Sequence, residues 1–195
     1  MLVALVLMSW LSAETGRMDY HRYSGYAMLG ALVFRVVWGF VGSRTARFAH
    51  FVKGPRAVVA YLRNTQSFAR VGHNPLGALS VLAMLGLLLA QVTLGLFSVD
   101  VDGLESGPLS SKVSFETGRA FAKAHHVLFD VVLIAVCVHI AAIVFYLIVK
   151  RDNLIRPMLS GYKILAADVA ERIPRLWMRA TLGVFLAALV VWLVV

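Results

Sequence analysis

The sequence predicts an all-α membrane protein, a transmembrane four-helix bundle with a fifth transmembrane helix at its C-terminal end. Two observations carry this prediction. The 195 residues are 60% hydrophobic and only 15% charged, whereas soluble domains are about half apolar and about a quarter charged, so the bilayer is the solvent this composition suits. The apolar residues are also gathered into long runs separated by polar loops, the pattern of a chain that crosses a membrane repeatedly.

Four runs, roughly residues 22–42, 75–97, 124–149 and 177–195, supply the about 20 residues that cross a hydrocarbon core. The run over residues 1–13 reaches only about half way, at about 1.5 Å per residue. No basic stretch precedes it, as one would in a signal peptide. It reads as the second half of a helix whose start is missing. Residues 1–150 then form the bundle, 151–176 a cytoplasmic connection and 177–195 the additional helix.

Loop charge sets the orientation. A net charge of +9 in a soluble chain would suggest nucleic acid, but here the basic residues lie between apolar runs, so no nucleic-acid partner is expected. The loop 43–74 carries Arg44, Arg47, Lys53, Arg56, Arg63 and Arg70 without an acid, and six more basic residues follow over 150–175. Both belong on the cytoplasmic face of the membrane. Asp100, Asp102, Glu105 and Glu116 face outward with Lys112, Arg119 and Lys123. The second and fourth helices therefore both run from outside to inside. Within loop 43–74, Phe48, Phe51, Val52, Val58, Val59 and Leu62 alternate with Lys53, Arg56 and Arg63. That segment, interrupted at Pro55, suits the lipid of the inner leaflet or a docking partner.

Three of the six histidines fall within or at the rim of these parallel helices: His21, His125 and His139. Ionisable groups at such depth are costly and point to function. His125 and His139 are fourteen residues apart, about 40° short of four full turns and about 21 Å along the axis, so they share a face at two depths. His126 points well round the helix. Two neutral imidazoles at that separation suit the irons of two haems stacked across a bilayer; the alternative is that each is a polar contact between helices. His21, at the outer level with His125, is the natural opposite ligand. Gly25, one turn below on the same face, allows close approach of a porphyrin plane. Arg35, fourteen residues after His21, repeats the spacing near the depth of His139, where haem propionates need cations; snorkelling to the inner surface is the alternative. The single cysteine, Cys137, reads as a small core residue and excludes a Cys-x-x-Cys-His attachment, so any haem is held non-covalently.

The strings H-R-Y-S-G-Y-A-M-L-G from His21, A-R-F-A-H-F-V-K-G-P-R from Ala46, G-H-N-P-L-G from Gly72 and H-H-V-L-F-D followed by C-V-H from His125 resemble the bacterial di-haem cytochrome b561 and nickel-iron hydrogenase cytochrome b family. The resemblance runs over almost the whole chain. It implies two b-type haems held by four histidines, with His21 and His125 on the outer haem and His139 on the inner one. The family's fourth ligand belongs to a His-Trp pair that would lie just before Met1. A five-coordinate inner haem, or recruitment of His73 or His50, is the alternative.

Asn74 and Pro75 read as the N-cap and first residue of the third long helix. His73 and Asn74 would then border the inner haem, a position suited to quinone, or simply cap the helix. Gln91 reads as a helix-helix contact, Asp130 as a wetted rim residue, and Arg119 and Lys123 as surface charges or outer propionate partners. The expected function is electron transfer between a periplasmic redox protein, such as a c-type cytochrome or hydrogenase, and the quinone pool. The competing functions are a self-contained quinone oxidoreductase and a haem-free assembly or transport protein.

Overall fold

A computed structural model describes residues 1–63, 74–102, 105–156 and 176–195. His73 and Arg70, and residues 157–175 of the connection, lie outside these. The described residues are helical or irregular, with no strand among them.

Helix α1 (Leu2–Glu14) turns directly into α2 (Met18–Val41). Gly16 supplies the left-handed residue, φ +67°, with its N–H on the carbonyl of Ala13 and that of Arg17 on the carbonyl of Ser12. This pair of bonds closes a helix and reverses the chain within three residues. The first turn of α2 is formed from Met18 onward, so His21 lies one turn inside the helix and not at its opening.

The amphipathic loop folds as two short helices, α3 (Phe48–Phe51) and α4 (Pro55–Arg63). Pro55 opens the second of these, a position where its missing N–H costs nothing. Tyr61 of α4 pairs its hydroxyl with that of Tyr146. Burial, then this hydrogen bond, pushes the Tyr61 phenol up to about 12, so it stays protonated. Helix α5 (Pro75–Phe97) begins as expected, with the Asn74 side chain accepting from the Gly77 N–H at 2.6 Å.

Helix α6 (Phe115–Ile148) begins nine residues before the apolar run. Ser114 caps it, accepting the Thr117 N–H at 3.2 Å, and Glu116 complements the helix dipole in the first turn. The charged residues Arg119 and Lys123 are therefore helical, which hydropathy alone does not reveal. Helix α7 (Trp177–Val194) lies along α2, with Gly30 against Val191 and Gly183 against Phe34. Arg179 fixes the end by donating to the Val41 carbonyl at 3.1 Å.

Among the described residues, four helices, α2, α5, α6 and α7, are long and apolar enough to cross a membrane; α1 has 13 residues. The core joins α1, α2, α5 and α6 through Val6, Met28, Leu32, Leu88, Val92 and Val132, with Leu32 wholly enclosed. The opposite face of α6 exposes Val127, Val131, Ile134 and Val138, a stripe at helical spacing that suits lipid. Cys137 is exposed next to this stripe, not in the core. The helix rotation that buries Val132 and Val136 turns the neighbouring residue outward.

The loop between α5 and α6 lies over the end of the bundle that holds the α1–α2 turn. Gly107 donates to the Ser98 carbonyl at 2.8 Å and Leu109 to the Leu96 carbonyl at 2.9 Å. A Cβ on Gly107 would collide with the main-chain oxygens of Gly95 and Leu96, which cannot move aside as a side chain can. Gly107→Ala is expected to lift the loop and cost about 1–3 kcal/mol. Thermal unfolding in detergent checks this, and an unchanged midpoint contradicts it.

Candidate functional site

At the end of the bundle under this loop, α2 and α6 run in the same direction and bring His21 and His125 together, edge to face. Their ring centroids are 6.1 Å apart and the planes are inclined at 81°. The Nδ1 of His21 lies 2.9 Å from the Ser9 carbonyl oxygen and 3.1 Å from Ser9 Oγ. The Nδ1 of His125 lies 2.9 Å from the Gln91 carbonyl oxygen. A carbonyl only accepts, so each Nδ1 carries the proton and each Nε2 keeps its lone pair. That is the tautomer of a metal-ligating imidazole with its outer partner in place. The two carbonyls come from α1 and α5, so all four core helices contribute to the pair.

The histidines border a cavity of ≈ 530 Å³. Gly25 and Gly95 shape it in different ways. A Cβ on Gly25 would meet nothing within 4 Å, so this position opens onto the cavity. A Cβ on Gly95 would stand 3.0 Å from Cε1 of His125, so glycine is what lets that ring lie against α5. The residues fit a haem. Imidazole nitrogen–metal bonds of about 2.0–2.1 Å, doubled and extended to the two ring centres, span about 6 Å, close to the separation observed. A buried amide oxygen without a partner, Oε1 of Gln91, also lies at this cavity.

The mouth of the cavity carries Glu14, Arg22, Asp100 and Glu105. Arg22 is its cation, paired with Asp19 at 3.0 Å and Glu105 at 3.3 Å. Arg119 and Lys123, read from the sequence as surface charges or outer propionate partners, do not line the cavity. The position of Arg22, directly after His21, was the signal available for it. Gly95 could have been found one turn after Gln91. His126 is exposed, its ring 6.2 Å from that of His125, and it borders the cavity. Asp130 is exposed.

Four turns further along α6, Nδ1 of His139 lies 3.3 Å from Ser80 Oγ of α5, too long for a strong bond. Helix α1 contains no histidine to face it. The Arg35 guanidinium lies over the Phe48 ring, 5.5 Å from its centre, and its Nη1 is buried with no partner, as is Nε of Arg47. Buried guanidinium donors without acceptors suit an anion. Asn74 caps α5 and also donates to the Tyr146 hydroxyl at 3.0 Å. His50 is exposed, and His73 lies outside the described residues. Among the described residues, no three or more His, Cys, Asp and Glu side chains gather as a metal site.

The profile of the family described as prokaryotic cytochrome b561 matches residues 1–161. No curated protein and no solved structure matches the chain significantly. With more than four-fifths of its length matched, the chain belongs to the prokaryotic cytochrome b561 family and is a multi-pass membrane b-type cytochrome of electron transfer, with haem b as its cofactor.

Proposed function

We propose that the chain carries electrons across the bacterial inner membrane between a periplasmic redox protein, such as a c-type cytochrome or a hydrogenase, and the quinone pool. In this reading His21 and His125 ligate an outer haem and His139 serves an inner one. The observation that supports it most is the His21–His125 pair, 6.1 Å apart with both Nδ1 protons committed to main-chain carbonyls. Haem b, when bound, supplies one-electron iron chemistry; the protein supplies ligands, orientation and dielectric.

The chain's own residues divide the work. Ser9 and Gln91 accept the Nδ1 protons of the two imidazoles, which orients both rings and leaves each Nε2 lone pair to the ligand. Gly25 leaves room beside the ring of His21, and Gly95 beside that of His125. The apolar core below the cavity, with Leu88, Val92 and Val132, keeps water from the space between the two levels. Toward the other surface, the free guanidinium donor of Arg35 offers a partner to an inner propionate. His73 and Asn74 are the proposed quinone-side residues, with Asn74 already tied to Tyr146. The segment with α3 and α4 lies on the inner leaflet, its Arg44, Lys53, Arg56 and Arg63 facing anionic lipid.

His125→Ala is expected to remove the outer haem, whereas His126→Ala keeps it. Haem per chain and reduced-minus-oxidised spectra of the purified variants decide between them, and equal losses contradict the assignment. For the inner site, His139→Ala is expected to remove the inner haem and leave the outer one. Haem per chain and reduced-minus-oxidised spectra check this, and an unchanged haem content contradicts the role of His139.

A further inference from the structure

Gln91 touches both nitrogens of the His125 ring. Its main-chain oxygen accepts from Nδ1 at 2.9 Å, and its side-chain Nε2 lies 3.2 Å from the ring Nε2. Since Nδ1 carries the proton, the ring Nε2 is the acceptor and the amide N–H donates to it. The residue is buried, 8% exposed, and the other end of its amide, Oε1, has no partner. Sealing an amide oxygen in this way is costly. A residue that served only to join α5 to α6 would be replaced without loss by an apolar side chain.

We propose that the Gln91 side chain is a gate on the outer haem site, capping the ligating nitrogen of His125 until haem displaces it. This rests on the reading of His21 and His125 as haem ligands. The exchange is simple to balance. The N–H···Nε2 hydrogen bond would break, and Nε2 would replace the water or hydroxide carried by the haemin iron, which leaves to solvent. The proton stays on Nδ1, still donated to the Gln91 carbonyl, and no electron changes hands. The two halves of Gln91 thus act in opposite senses: the main chain orients the ligand, and the side chain competes with the metal. A capped lone pair is also closed to other divalent metal ions, which imidazole binds readily.

The two roles separate under substitution, because Gln91→Met and Gln91→Leu delete the amide and keep the carbonyl. The full chain, depleted of haem and held in detergent, is titrated with haemin. Both variants are expected to bind it about tenfold more tightly than wild type, the size of one net hydrogen bond no longer broken. Removing the cap also destabilises only the empty form, so the gap between the melting temperatures of the empty and loaded forms should widen. Equal or weaker haemin binding, or an equal drop in both melting temperatures, overturns the gate. A test on the wild type needs no variant. The chain has two glutamines, Gln66 and Gln91, so ¹⁵N labelling of glutamine and histidine resolves a coupling across the Gln91–His125 hydrogen bond. That coupling is expected in the empty form and lost on loading; its absence from the empty form overturns the gate. A wild-type chain that takes up no haemin sinks the ligand reading itself, whereas normal uptake with unchanged variants sinks the gate alone.

Discussion

A histidine inside a helix bundle has two ring nitrogens to satisfy, and in each helix the main chain has already spent its own hydrogen bonds. At the His21–His125 pair the first nitrogen of each ring is met by a carbonyl of a neighbouring helix, Ser9 of α1 and Gln91 of α5. The rest of the upper bundle depends on that arrangement. The α1–α2 reversal at Gly16 is tight enough to set Ser9 against His21. Gly95 gives His125 room beside α5, and Gly107 lets the loop above rest on the end of the same helix. A wrong rotation of any one of these helices would turn an imidazole nitrogen toward lipid, where nothing compensates for burying it.

The two depths are not built alike. At the upper level, both rings have a strong bond to a carbonyl and face each other across a cavity. His139, by contrast, has one long contact to a hydroxyl, and Arg35 and Arg47 keep buried donors without a partner. Phe48, the first residue of α3, packs against the face of α2 that carries Gly39 and Arg35, so α3 and Arg35 are mechanically connected. A hydroxyl can donate as well as accept, so Ser80 does not fix the tautomer of His139 as a carbonyl would.

Much of this was legible in the sequence because it follows from periodicity and charge. The spans, the Asn74–Pro75 start of α5 and the shared face of His125 and His139 all depend on side-chain identity at fixed spacing. What escaped depends on the main chain or on rotation. Any residue carries a carbonyl, so nothing marks Ser9 or Gln91 as the partner of a histidine. The charge of Arg119 and Lys123 sets them outside the apolar run although the cap at Ser114 starts the helix before them, and Arg22, which the sequence did not single out, lines the cavity. Cys137 was placed in the core by its apolar neighbours, although the face it occupies is set by which side of α6 meets α5. The family match agrees with the quoted strings over nearly the whole chain, and it is silent on these local choices.

The central claim is that His21 and His125, whose ring planes stand nearly perpendicular at 81°, would together hold one haem iron. Crossed planes leave the two iron orbitals that bond with the rings almost equal in energy, which makes a ferric low-spin centre strongly anisotropic. Low-temperature electron paramagnetic resonance of the oxidised chain reads this directly. The account predicts a strongly anisotropic low-spin signal from the haem at His21 and His125. An axial high-spin signal alone would contradict it, since that haem would then lack one of its two histidines.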